Sequence, residues 1–190
     1  MRIISGKLRG LILKAPKTLD VRPTPDLVRQ AIFNSLGTKV ADAEVLELFA
    51  GTGALSLEAL SRGARHATCI ELSPKHARFI RDNFEKTGLP QESFHLIVND
   101  VYTCLNSFTE QKLTFDIIFA DPPFGEKTKG ERSQSHSQKL LDNPFIPRLL
   151  KPDGLFILGH AKRDQIEIPP PWQEIKTLKH GDSWVRFLKL

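Results

Sequence analysis

Hydrophobic residues from position 44 onward form short apolar runs, separated by longer segments with helical periodicity. The runs lack the polar–apolar alternation of a strand with one solvated face, so they predict strands buried on both faces. Strands are predicted at residues 44–50, 67–72, 94–98, 115–120 and 154–159, and helices at 54–61, 74–87, 101–108 and 138–150. This alternation indicates an α/β fold whose parallel sheet is covered by helices on both faces.

The N-terminal part of the chain departs from this alternation. Residues 1–14 predict two short strands joined by a turn, and residues 15–23 predict a linker because they contain two prolines. Thr24 and Pro25 are the expected cap and first residue of a helix that ends at Gly37.

The C-terminal part predicts a hairpin rather than another strand–helix pair. Residues 172–179 and 184–190 are strand-like and are joined by only four residues, so they pair antiparallel. The polar stretch 125–137 contains no apolar residue and is predicted to be mobile. We therefore divide the chain into a basic N-terminal hairpin with its linker, residues 1–23, and a main domain, residues 24–190.

Positive charge is concentrated near the N-terminus. The first 40 residues contain eight Lys or Arg and two Asp or Glu, whereas the other 150 contain 19 and 20. A segregated basic segment is typical of a surface that binds a polyanion, although a solvated basic face without a partner would give the same pattern. The candidate contacts with such a polyanion are Arg2, Lys7, Arg9, Lys14, Arg22 and Arg29.

Composition narrows the class of protein further. The chain has two cysteines, which neither form a disulfide framework nor predict a metal site, so we expect no metal. We find no apolar run as long as the ~20 residues of a membrane helix and no secretory signal. We therefore expect a cytoplasmic protein that does not associate with membranes.

Acidic residues lie at the ends of three consecutive predicted strands or just after them, at Glu71, Asp100 and Asp121. The carboxyl ends of parallel strands meet at one edge of the sheet, where such folds bind ligands, so the three acids indicate a site. Any one of them alone could equally be a helix cap or a solvated loop residue.

A glycine turn, Gly51 to Gly53, follows the first strand at the same edge. The dinucleotide fingerprint requires a third glycine where this chain has Ser56, which counts against a pyrophosphate cofactor. Glu71 is placed to accept hydrogen bonds from a ribose, and Asp100 from an adenine amino group, so an adenosine without pyrophosphate is expected. The candidate cofactor-binding residues are Glu47, Phe49, Gly51, Gly53, Glu71, Leu72, Asp100 and Asp121.

These motifs resemble those of class I S-adenosylmethionine-dependent methyltransferases. The segments MRIISGKLRG, RPTPDLVRQAIFNSL at 22–36, LELFAGTGALSLEALSRGA at 46–64 and DPPF at 121–124 are similar, in this order, to those of RsmD-type 16S rRNA guanine-N2 methyltransferases. The resemblance implies a Rossmann-like sheet of order 3-2-1-4-5-7-6 with strand 7 antiparallel, and S-adenosylmethionine as cofactor. It also implies one guanine of 16S rRNA as substrate, position 966 in the reference numbering, in free RNA, a small subunit or an assembly intermediate. We expect a monomer.

The DPPF motif suits transfer of a methyl group to an exocyclic amine. Two acceptors for the amine hydrogens, the Asp121 carboxylate and the Pro122 carbonyl, would localise the nitrogen lone pair and stabilise developing positive charge. Phe124 is a candidate for stacking on the base, or for packing in the core. His160, after the fifth strand, is a candidate general base.

Three alternative functions are compatible with parts of this pattern. Another amino methyltransferase, acting on adenine N6 or glutamine N5, would more often carry Asn-Pro-Pro-Tyr than Asp-Pro-Pro-Phe. A nicotinamide dehydrogenase is disfavoured by Ser56 and by the closing hairpin. A non-catalytic RNA-binding protein would explain the basic segment but not the acids at the strand ends.

Overall fold

The computed structural model describes residues 1–15, 24–123 and 134–190. Seven strands form one sheet in the order β3-β2-β1-β4-β5-β7-β6. Neighbours among β1 to β5 run parallel, whereas β7 is antiparallel to both β5 and β6. The strands are β1 Glu44–Leu48, β2 His66–Glu71, β3 Phe94–Val98, β4 Phe115–Ala120, β5 Leu150–Ala161, β6 Gln173–His180 and β7 Ser183–Lys189. The predicted sheet order and strand direction are confirmed.

Helices cover both faces of the sheet, as the buried strands require. The α-helices are α1 Asp26–Leu36, α2 Ala54–Ser61, α3 Pro74–Glu85, α4 Val101–Glu110, α5 His136–Leu141 and α6 Ile146–Leu149. Successive strand residues point to opposite faces, so Ile117 packs in the cluster with α1, α2 and α3, whereas Ile118 packs in the cluster with α4, α5 and α6. In the described ranges no helix combines the length and the apolar character that crossing a membrane demands.

The N-terminal hairpin, which we define as residues 1–15, packs on the main domain. Its two arms are joined by an antiparallel bridge between Arg2 and Ile12 and by hydrogen bonds such as Ile3 N–H to Leu11 O, 2.9 Å. Ile3 and Leu13 are buried in the same cluster as α1 and α2. The hairpin therefore stabilises, and is stabilised by, the core of the main domain.

Two predictions of helix boundaries are wrong. The predicted helix at 138–150 is split into α5 and α6, because Pro144 lacks an N–H and disfavours helical backbone in the residue before it. Thr24 does not cap α1: Pro25 occupies the cap position without a side-chain cap bond, and the Thr24 hydroxyl bonds elsewhere.

The polar stretch 125–137 lies mostly outside the described residues, so its mobility stays a prediction; the structure describes its last four residues, 134–137. There Ser137 is buried in the first turn of α5 and its hydroxyl donates to Gly159 O, 3.0 Å. A polar stretch without apolar residues therefore still contributes a buried side chain at Ser137, since a hydroxyl with a backbone acceptor can be buried.

Candidate functional site

The carboxyl ends of β1, β2, β3 and β4 meet at one edge of the sheet, which we call the rim. The register pairs Leu48 of β1 with Ile70 of β2 and Ala120 of β4, so the residues that follow these strands are neighbours. Glu71 ends β2, Asp100 is the cap of α4, and Asp121 follows β4 directly. The structure thus brings the three predicted acids to the same rim as the glycine turn.

The glycine turn is fixed by Glu71. Gly51 and Gly53 have φ of 58° and 70°, backbone that favours glycine. The Gly51 N–H donates to Glu71 Oε2, 2.7 Å, and the Ser73 N–H donates to Glu71 Oε1, 2.8 Å. Glu71 Oε1 also lies 3.4 Å from His76 Nδ1, whereas Oε2 retains a second acceptor site, so Glu71 is able to receive a ligand hydroxyl at Oε2 while holding the turn.

Glu47 lies beneath the turn and is 3 % exposed. Its carboxylate accepts hydrogen bonds from Ser56 N–H, 2.9 Å, and Leu55 N–H, 3.4 Å, at the start of α2. Burial raises the pKa of Glu47 from its ordinary 4.5 to about 6. This corrects the prediction that Glu47 contacts the cofactor, because the carboxylate supports the turn from below.

The raised pKa of Glu47 predicts a stability that changes with pH. Between about pH 4.5 and 6 the folded protein holds a proton that the unfolded chain has lost, so this contribution is present at low pH and disappears as pH rises through 6. We expect the unfolding free energy of wild type, minus that of Glu47→Gln, to fall by about 2 kcal/mol across this interval. Urea unfolding at a series of pH values measures it, and a difference that stays flat or rises with pH would contradict it.

The Asp121 carboxylate is held between two distant segments of the chain. The Thr24 hydroxyl donates to Asp121 Oδ2, 2.5 Å. On the other side, a Cβ added to Gly159 would lie 2.4 Å from Asp121 Oδ1, so only glycine at 159 admits the carboxylate in this position. Pro122 is buried, and Phe124 lies outside the described residues, so its role stays a prediction.

An aromatic group, Phe49, Tyr102 and His136, forms part of the rim. The Phe49 ring lies 5.3 Å from the His136 ring and 6.4 Å from the Tyr102 ring, between centroids. The Tyr102 hydroxyl is 3.0 Å from His136 Nδ1. Burial raises the pKa of Tyr102 to about 12 and lowers the pKa of His136, so both side chains are neutral near pH 7. The rings of Tyr102 and His136 leave Phe49 half-buried. Leu72, which follows Glu71, is 65 % exposed.

Sequence reasoning missed Thr24 as a partner of Asp121, and it missed Tyr102 and His136. Tyr102 is the single tyrosine of the chain and follows Asp100 by two positions, a signal that could have placed it at the rim. His136 belongs to the polar stretch, and no local pattern indicates its contact with Phe49.

The predicted RNA contacts divide into exposed and buried residues. Arg2, Lys7 and Arg9 are exposed on the N-terminal hairpin. Lys14 is exposed as well, but its ammonium pairs with Asp82 at 2.9 Å, so less of its charge is available. Arg22 lies outside the described residues.

The prediction that Arg29 contacts RNA is wrong, because Arg29 is 0 % exposed. Its guanidinium donates to Thr24 O, 3.1 Å, to Arg2 O, 2.5 Å, and to Asp26 Oδ1, 3.0 Å. A guanidinium with these partners joins the N-terminal hairpin to the start of α1.

The proposal of His160 as a general base is also wrong. His160 lies within β5 and is 1 % exposed. Its Nε2 accepts from Arg186 Nε–H, 3.0 Å, and its Nδ1 is 2.9 Å from Ala161 O, so both ring nitrogens are occupied. Burial and the Arg186 charge lower the pKa of His160, which keeps the ring neutral.

Sheet order, glycine turn and rim acids together define a class I methyltransferase fold of the S-adenosylmethionine-dependent type. The profile of a family described as "Conserved hypothetical protein 95" matches residues 1–189. Ribosomal RNA small subunit methyltransferase D of Haemophilus influenzae is 31% identical over 181 residues, which are 95% of this chain and 89% of the relative. The chain belongs to this family, that of the small-subunit rRNA methyltransferases D.

Further similarities cover different shares of the chain. Ribosomal RNA small subunit methyltransferase D of Escherichia coli K12 is 42% identical over 127 residues, 65% of this chain and 60% of the relative. The solved structure of a hypothetical protein of Thermus thermophilus is 26% identical, with a TM-score of 0.81, and the match covers 100% of this chain and 99% of the other.

Proposed function

We propose that this protein methylates the exocyclic N2 amine of one guanine in small-subunit rRNA, guanine 966 in the reference numbering. The observation that carries the proposal is the place of Asp121-Pro122 at the rim, beside the glycine turn and Glu71, with the Asp121 carboxylate fixed by Thr24. Membership in a family of small-subunit rRNA methyltransferases supports the class of substrate.

The cofactor is S-adenosylmethionine, which supplies an electrophilic methyl group on a sulfonium. The rim fits its adenosine: Glu71 has a spare acceptor site at Oε2, Asp100 follows β3, and the turn at Gly51 brings backbone close without side chains. Leu72, which follows Glu71, and Phe49, which follows β1, offer apolar surface for the adenine. Glu47 acts indirectly, by holding the turn.

Asp121 and Pro122 act on the guanine amine. The amine lone pair is delocalised into the ring and is a poor nucleophile, so acceptors for its hydrogens favour the pyramidal nitrogen that attacks. Asp121 would lie beside the nitrogen as positive charge develops on it; the methyl group would pass from the sulfonium sulfur to the nitrogen, the cofactor would leave as the thioether S-adenosylhomocysteine, and the nitrogen would release its extra proton to solvent. Phe124 is proposed to stack on the base.

The N-terminal hairpin binds RNA in this proposal. Three exposed cations lie on the hairpin, at Arg2, Lys7 and Arg9. Because the hairpin packs against the main domain, the position of these charges relative to the active site is fixed. Residues 1–23 then form an RNA-binding appendage to the domain of residues 24–190. We further propose that the protein acts in the cytoplasm as a monomer, on rRNA within a small subunit or an assembly intermediate.

The test is methyl transfer to small ribosomal subunits that lack the modification. Purified protein and labelled S-adenosylmethionine should label such subunits, and nucleoside analysis should identify N2-methylguanosine at one position. Free 16S rRNA, assembled subunits and subunits already methylated are compared, the last as the control that stays unlabelled. Absence of label refutes the activity. Label in N6-methyladenosine or in a glutamine side chain would instead support the alternative amino methyltransferases.

A further inference from the structure

The hydroxyl of Thr24 bonds to the acid of the DPPF motif across 97 positions of sequence. Thr24 precedes α1, whose cap position is occupied by Pro25, so its hydroxyl is not used for capping. It donates to Asp121 Oδ2 at 2.5 Å, the length of a strong hydrogen bond to a charged acceptor. Thr24 therefore fixes one oxygen of the carboxylate that is proposed to accept from the amine.

The surroundings of this hydrogen bond strengthen it. A small cavity beside Asp121 is lined by Thr24 and Gly159 and by the apolar side chains of Ile32, Leu55, Phe119, Ile157 and Val185. An apolar wall lowers the local dielectric constant, so a hydrogen bond donated to the carboxylate is electrostatically stronger here than in water. Gly159 closes the other side, because its missing Cβ leaves the space that Asp121 Oδ1 occupies.

Thr24 is itself held by the buried Arg29. The Arg29 guanidinium donates to the Thr24 carbonyl and to the Arg2 carbonyl of the N-terminal hairpin. Because Arg29 is 0 % exposed, solvent does not compete for these bonds. The backbone of Thr24 is thus anchored at the junction between hairpin and main domain, and its hydroxyl has a defined direction.

We propose that Thr24 is a positioning residue, which aims the Asp121 carboxylate for the transfer step. Thr24 does not touch the reacting atoms; it selects the orientation in which Asp121 Oδ1 faces Gly159 and Oδ2 faces the hydroxyl. This inference rests on the proposed function, in which Asp121 accepts from the guanine amine. It adds a residue outside DPPF to the machinery for orienting the amine.

The kinetic test compares Thr24→Val with Thr24→Ser. Valine has the shape of threonine without the hydroxyl, and we expect kcat to fall about 10- to 100-fold, as for a lost hydrogen bond to a charged group. The KM values for RNA and for S-adenosylmethionine should change by less than about twofold, because binding residues are untouched. Serine keeps the donor and should restore kcat to within about threefold of wild type.

Thr109→Val is the matched control, since Thr109 is half-buried and its hydroxyl donates within α4 to Leu105 O, 2.9 Å. It should leave kcat unchanged. Three results would overturn the inference: Thr24→Val with wild-type kcat, equal losses in Thr24→Val and Thr24→Ser, or a loss confined to KM.

Crystal structures of the two Thr24 variants test the same inference without activity. The Asp121 carboxylate should leave its present orientation in Thr24→Val and keep it in Thr24→Ser. An unmoved carboxylate in Thr24→Val refutes the positioning role whatever the enzyme does. If wild type transfers no methyl group to guanine, the proposed function fails, and the structures still decide whether Thr24 orients Asp121.

Discussion

Asp121→Ala is expected to lower kcat for methyl transfer by about 10²–10³, the usual cost of removing one acceptor or donor that stabilises charge developing in a transition state. The loss follows from the position of the carboxylate at the rim, where Thr24 holds it and where the Pro122 carbonyl is left as the remaining acceptor. Single-turnover methyl transfer to unmodified small subunits measures the rate constant of the transfer step without interference from product release, and this constant should show the loss. Cofactor affinity, measured by calorimetry with S-adenosylhomocysteine, should change far less.

Asp121→Asn and Asp116→Asn provide the matched comparison. The amide introduced by Asp121→Asn keeps one acceptor oxygen but loses the charge, so the rate of this variant should lie between those of wild type and Asp121→Ala. Asp116 lies at the other end of β4, where its carboxylate accepts from Lys151 Nζ and from Glu44 N–H at 2.8 Å. Asp116→Asn should keep the wild-type rate. A rate for Asp121→Ala within about threefold of wild type would remove Asp121 from the mechanism, because the loss of an acceptor that stabilises the transition state lowers the rate far more than this.

The sheet could be predicted because its signal is local. Each strand is an apolar run bounded by capping or turn residues, and the alternation with helices fixes parallel neighbours. The glycine turn and the acids at 71, 100 and 121 were predictable for the same reason, since each lies at the end of a strand or just after it. Where the local signal was ambiguous, as between residues 138 and 150, Pro144 decided the outcome against a continuous helix.

The rest of the site depends on contacts between distant segments. Nothing near Thr24 in the sequence indicates that its hydroxyl meets Asp121, because capping a helix is the ordinary role of such a threonine. Arg29 was predicted to contact RNA because a cation in a basic segment is normally exposed, yet backbone carbonyls and carboxylates from three segments bury it. Charge alone therefore located the basic surface but did not show which of its cations are exposed.

The buried carboxylate of Glu58 is one link between the N-terminal hairpin and α2, beside the hydrogen bonds that Ser61 makes to the hairpin. Its two oxygens accept from the N–H groups of Ile4, 2.7 Å, and Ser5, 3.1 Å, and from Arg62 Nε–H, 2.7 Å. Arg29 Nε lies 3.9 Å from Glu58 Oε2, and both side chains are 0 % exposed. Among the described residues, Arg29 Nε is a buried side-chain atom without a hydrogen-bond partner. The nearby Glu58 carboxylate therefore compensates the guanidinium charge electrostatically.

Glu58→Ala is expected to destabilise the protein by about 3–5 kcal/mol, the range found when one partner of a buried ion pair is removed. The substitution leaves two hairpin N–H groups without an acceptor and weakens the compensation of the Arg29 charge. Urea unfolding measures the loss. Hydrogen exchange should show that amides of residues 1–15 lose protection first, because the hairpin loses its anchor while the sheet keeps its own hydrogen bonds.

Two variants separate the role of the Glu58 carboxylate from that of an ordinary helical glutamate. Glu85→Ala changes an exposed glutamate at the end of α3 and should alter stability by less than about 0.5 kcal/mol. Glu58→Gln keeps one acceptor oxygen but turns an amide toward groups that are donors, so its loss should be smaller than that of Glu58→Ala but still clear. Stability of Glu58→Ala within about 1 kcal/mol of wild type, or unchanged protection of residues 1–15, would show that the hairpin is held without this carboxylate, by its apolar packing and its other hydrogen bonds.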